Sequence, residues 1–95
     1  MPDYLFLMHD DSADDGDWGS YLETLGRAGK LQGGSAIGSG ICVRKTGAPP
    51  PITPHLVGFI RVAADDLDQA RQLLAGNPVF ENGGTVEIRE LPRTD

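Results

Sequence analysis

Apolar residues recur along this chain at two different periods. From Leu56 to Val62 they run almost unbroken, interrupted only by Arg61, and a short run of that kind predicts a strand covered on both faces. Leu67, Ala70, Leu73 and Leu74 then follow at i, i+3, i+6 and i+7, a single stripe that predicts a helix with one buried side. Asp65, three residues before Asp68, is placed to cap its start, and Gly76 followed by Asn77-Pro78 is placed to stop it. From Thr85 to Leu91 the period drops to two, with Val86 and Ile88 inward and Thr85, Glu87 and Arg89 on the other side.

The first part of the chain repeats this grammar. Tyr4 to Met8 is continuously apolar and predicts a central strand. Trp18, Tyr21, Leu22, Leu25 and Ala28 fall at helical spacing before Gly29. Leu31 to Gly40 holds four glycines and two serines and reads as a loose connection with a short extended piece at most. Ile41 to Thr46 alternates as a half-exposed edge strand should. Gly47 to Pro54, with four prolines, marks the turn into the third strand.

The resulting order, β-α-β-β-α-β, predicts an α+β fold of ferredoxin-like type, an antiparallel sheet with both helices on one face. The two central strands are apolar on both sides, whereas two helices cover only one. The bare side therefore calls for a homodimer packed sheet to sheet.

Length and charge narrow the function. Ninety-five residues fit one domain, taken here as 1–95 with no linker. Fourteen acidic against eight basic residues give a net charge of −6, which opposes the phosphate neutralisation on which nucleic-acid binding depends. Neither a membrane-spanning run nor a signal-like segment is present, so a cytoplasmic protein without membrane or nucleic-acid partners is expected. The single cysteine, Cys42, is expected to behave as a small buried hydrophobe.

The predicted topology brings His9, Asp10, Trp18, His55 and Asn77 to one edge of the sheet. His9 and His55 sit on neighbouring strands, and an imidazole oriented by a carboxylate such as Asp10 is the minimum equipment for moving a proton; two solvated strand-end histidines are the plainer alternative. Arg44, Arg61 and Arg89 share a predicted face with Glu87. They could hold an anionic ligand or close salt bridges with Glu87 and Glu90. Trp18 serves either as a helix-face core residue or as a stacking platform. Asp10, Asp11, Asp14, Asp15 and Asp17 invite a metal, but a calcium loop begun at Asp11 would meet Ala13 and Leu22 at ligand positions, so the run reads as solvated charge and no metal is assigned. The glycine-rich segment 33–40 lacks the lysine and following helix of a phosphate loop, and no cofactor is assigned.

Several segments together resemble the YCII-related family, including its DGPF branch. They are Tyr4–Met8 (YLFLM), Leu25–Leu31 (LGRAGKL) with Gly33-Gly34, Val43-Arg44, Gly58-Phe59, Ala64–Ala70 (ADDLDQA) leading to Asn77-Pro78, and Gly83–Arg89 (GGTVEIR). The resemblance spans nearly the whole chain and implies a small dimeric α+β barrel. In relatives, a histidine in the first helix and an aspartate before the proline that follows the second helix are proposed as an acid–base pair, with dehydrochlorination suggested for one branch. Here those positions hold Trp18 and Asn77, neither of which exchanges a proton near neutrality, and the Asp-Gly-Pro-Phe segment is replaced by the proline turn. The chain is therefore expected to be a homodimer binding a small, aromatic or anionic molecule at the sheet edge. The alternative is a lyase- or isomerase-like enzyme using His9 or His55. Histidines converging on a concave apolar pocket would favour the enzyme; splayed and exposed rings would favour the binder.

Overall fold

In the computed structural model, which describes residues 2–13 and 16–92, the chain runs β1 (Asp3–His9), α1 (Trp18–Arg27), β2 (Leu31–Ala36), β3 (Leu56–Ala63), α2 (Leu67–Gln72), α3 (Pro78–Glu81) and β4 (Val86–Leu91). Asp14 and Asp15 of the acidic run lie outside the described residues. The four strands form one antiparallel sheet in the order β2-β3-β1-β4, which is the ferredoxin-like arrangement expected from the element order.

Strand alternation decides what each face carries. Tyr4, Phe6 and Met8 of β1 are buried and stand opposite Val62, Ile60 and Gly58 of β3. With Tyr21 and Leu25 of α1, and with Ala70, Leu74 and Val79, they form the core beneath the helices. Leu5 and Leu7 point to the opposite face, alongside Phe59 and Arg61 of β3 and Glu87 and Arg89 of β4, while a register shift between Met8 and His9 ends the alternation. On that face Leu5, Leu7 and Phe59 are only half-buried, because no element among the described residues covers that side.

The second strand is not where the alternation of Ile41 to Thr46 put it. Those residues form no strand, and Ile41 and Val43 are 83% and 79% exposed. The place beside β3 is taken by Leu31–Ala36, which the helix delivers there through a connection of only a few residues. Gly29 (φ 71°) turns the chain, the Lys30 carbonyl accepts from Ala63 N–H at 2.9 Å, and Leu31 pairs with Val62. The glycines that argued against a strand are required by it. A Cβ at Gly34 would stand 2.7 Å from the Phe59 carbonyl oxygen and 3.2 Å from Ile60 Cα. Alternation is a strand signal only where a partner backbone is within reach, and Ile41 to Thr46 has none.

Helix ends also differ in detail. α2 is capped by Asp66, whose carboxylate accepts from Gln69 N–H at 2.8 Å, while the Gln69 side chain accepts from Asp65 N–H. The cap is therefore one residue later than expected. Leu67 is 51% exposed, and Leu74, beyond the helix end, is buried. Asn77-Pro78 does more than stop a helix: it starts a new one. The Asn77 carboxamide oxygen accepts from Val79 and Phe80 N–H at 3.0 and 3.1 Å, and Pro78 occupies the first turn, where its missing N–H costs nothing.

Candidate functional site

Between α1 and the β2–β3 half of the sheet lies an open cleft of about 810 Å³. Its walls come from the periodicities above. Trp18 and Leu22 project from the inner face of α1, Leu31 and Ile60 from the strands, and Pro78 and Val79 from the start of α3. Its floor is made of small residues, Gly34, Ala36 and Gly58, which leave the space that side chains would otherwise fill. His9, Asp10 and Ser12 supply polarity at one end.

His9 closes β1 and is part-buried. Its Nε2 lies 3.3 Å from Glu87 Oε1, and its ring meets the exposed His55 ring edge-on, with centroids 4.6 Å apart. Backbone pairing holds this end in register, as His9 N–H donates to the Thr85 carbonyl at 3.0 Å and Asp10 N–H to that of His55 at 2.9 Å. Asp10 lines the cleft with an exposed carboxylate, but among the described residues that carboxylate bonds to neither imidazole. Glu87 takes the orienting place. Sequence reasoning put Glu87 on the correct face of β4, but the β1–β4 register that brings it beside Leu7 and within reach of His9 exists only in the folded sheet.

Two of the acidic-loop residues are structural. Asp11 accepts from both the N–H and the hydroxyl of Thr85 at 2.7 Å, and these bonds hold its carboxyl below the usual range. Asp17 caps α1 by accepting from Ser20 N–H at 3.0 Å and Ser20 hydroxyl at 2.7 Å, which lowers its pKa in the same way. No group of three or more histidine, cysteine, aspartate or glutamate side chains among the described residues is placed to hold a metal ion.

Trp18 lies at the start of α1, half-buried, with its ring edge-on to Tyr21 at 6.0 Å. Asn77 is fully buried beneath the cleft and does not line it. Its carboxamide oxygen caps α3, and its Nδ2 closes no hydrogen bond among the described residues. Burial pushes the Tyr21 pKa up, with the nearby Asn77 amide opposing; the Tyr21 hydroxyl donates to the Leu73 carbonyl at 2.8 Å. The arginines do not converge. Arg61 is paired with Asp3 at 2.6 Å, Arg89 lies 3.4 Å from Glu87, and Arg44 sits in the segment between β2 and β3, donating to the Ala48 carbonyl.

One histidine thus lines a concave, mostly apolar cleft while the second stands outside it in contact with the first. The site can enclose an apolar or aromatic group against Trp18 and meet a polar end at His9 and Asp10. No curated protein and no solved structure matches the chain. The family model of the YCII-related domain matches residues 4–94. That span takes in every described strand and helix apart from Asp3 at the start of β1, and the chain belongs to the YCII-related family.

Proposed function

We propose that the chain acts as a homodimer that binds a small, largely apolar or aromatic molecule with a polar end in the cleft between α1 and β2–β3. The observation that carries this reading is the cleft itself, whose volume of about 810 Å³ is typical of small-molecule sites and whose glycine-lined floor keeps it empty of side chains. The homodimer rests on the half-covered Leu5, Leu7 and Phe59, which a second sheet would bury.

Binding without turnover is favoured by the two positions where the resemblance implies an acid–base pair. Trp18 offers an indole, and Asn77 uses its carboxamide oxygen to cap α3. One observation supports the alternative of a lyase- or isomerase-like activity: the Glu87–His9 contact, a carboxylate orienting an imidazole at the rim of the cleft. A thermal-shift screen of aromatic acids and lactones, followed by NMR, tests both. A stabilising compound is expected to shift the Trp18 indole and the His9 and His55 imidazole resonances while Leu91 stays unchanged. A hit that leaves Trp18 and His9 silent removes the site. Chemical conversion of the compound by the wild-type chain, lost in His9→Ala, would replace binding by catalysis.

A further inference from the structure

Residues 37–55, between the end of β2 and the start of β3, form an excursion of 19 residues without helix or strand. Segments of that length inside a small domain are uncommon unless they do something outside it. The molecule is accordingly extended. It measures 46 × 39 × 19 Å with a radius of gyration of 14.8 Å, where a compact chain of this size has about 13 Å.

The excursion leaves the sheet at the end that carries His9 and His55, since Ile37 N–H still bonds the Val57 carbonyl at 3.0 Å. It then exposes Ile41 and Val43 more fully than any other large hydrophobic residue among the described residues. Next to them stand Arg44 and Lys45, which form no ion pair among the described residues.

Charge along the chain is divided in the same sense. Residues 24–64 contain five basic side chains and no acidic one, so all fourteen carboxylates lie outside that stretch. Several of them, Asp10, Asp11 and Asp17, stand at or beside the end of the cleft. An apolar, cationic arm and an apolar cleft with an anionic rim are complementary, yet within one chain no residue of the arm lines the cleft.

We infer that the excursion of one copy lies across the mouth of a second copy's cleft, with Ile41 and Val43 against its apolar wall and Arg44 and Lys45 facing Asp10, Asp11 and Asp17. The site is then completed by the partner. This rests on the homodimer proposed above and goes beyond it, because sheet-to-sheet packing alone leaves the arm uncovered. Reach is sufficient: about nine residues out and nine back extend roughly 30 Å, against a spacing of about 10 Å between stacked sheets.

Cys42, the single cysteine, lies between the two exposed apolar residues and provides the probe. Isotope-labelled and unlabelled chains are each derivatised there with a benzophenone maleimide, mixed, allowed to exchange and irradiated. The expected product joins the Cys42 peptide of one isotope to residues 10–27 of the other. Reversing both charges, with Arg44→Glu and Lys45→Glu, is expected to raise the dimer dissociation constant by about tenfold at low salt and by less at high salt, with the thermal midpoint of the dilute chain unchanged. Dimers in sedimentation whose cross-links are all of one isotope, fall on β1 or β4, or do not form at all overturn the arm exchange and leave the homodimer standing. A monomer at micromolar concentration removes both.

Discussion

His9 and Asp11 illustrate how little of a side chain's role follows from its type. Both sit at the polar end of β1, yet one imidazole is turned toward Glu87 while the carboxylate two residues on is committed to Thr85. Asp17 is likewise committed, to the first turn of α1. Because hydrogen bonds depress the Asp11 and Asp17 pKa values below the 3.8 of the free side chain, their contribution to stability is fully present above that value and is lost as pH falls through the folded values. The urea midpoint should therefore drop on acidification below about pH 4. In Asp11→Asn/Asp17→Asn, where the amide oxygen can still accept, it should drop less. Equal slopes for the two proteins between pH 4 and pH 2 would show that these bonds do not set the acid response.

At the scale of elements, the helices are held by very few buried positions. α2 is six residues long, too short to persist alone, and it is fastened by its cap at Asp66 and by Ala70. Leu74 then plugs the core in the turn between α2 and α3. Truncating it should cost about 2–5 kcal/mol, since it leaves a cavity in close-packed surroundings. Leu67→Ala, at the first turn of the same helix and half exposed, should cost less than about 1 kcal/mol. Chemical denaturation of the two variants decides the matter, and equal midpoints would mean that Leu74 contributes no more to the core than Leu67. α3 is shorter still, but it places Pro78 and Val79 in the cleft wall, so its cap at Asn77 bears on the site through packing.

For the molecule as a whole, the sheet separates two tasks. One face builds the core and the cleft under the helices, and the other presents Leu5, Leu7 and Phe59 between the ionic pairs Asp3–Arg61 and Glu87–Arg89. Such a face suits self-association, with an apolar centre and charges that can re-pair across a twofold axis. Sedimentation is expected to give a dimer of the 10.1 kDa chain at micromolar concentration, and the thermal midpoint should rise with protein concentration. A concentration-independent midpoint together with a monomeric mass would leave the open face without a partner. No helix among the described residues is long and apolar enough to cross a membrane.

The order of the strands and of the first two helices, the two central strands and the gathering of His9, Asp10 and Trp18 on one cleft were legible in the amino-acid sequence, because each rests on local periodicity joined by short connections; His55 and Asn77, read at the same rim, do not line the cleft. Buried apolar runs must become central strands, an i, i+3 stripe must face a core, and β-α-β-β-α-β leaves little freedom of topology. The position of β2 was not legible in that way. Leu31–Ala36 has the composition of a loop and Ile41–Thr46 the pattern of a strand, but pairing goes to the segment that α1 delivers beside β3, and glycine is admitted there because a side chain at Gly34 would strike the neighbouring backbone. The start of α3 was hidden because a Pro that stops one helix is equally suited to the first turn of the next. Glu87 as the partner of His9, Thr85 as the partner of Asp11 and the pairing of Arg61 with Asp3 join residues 58 to 78 positions apart. Those contacts depend on strand register, which is settled only when the whole sheet forms.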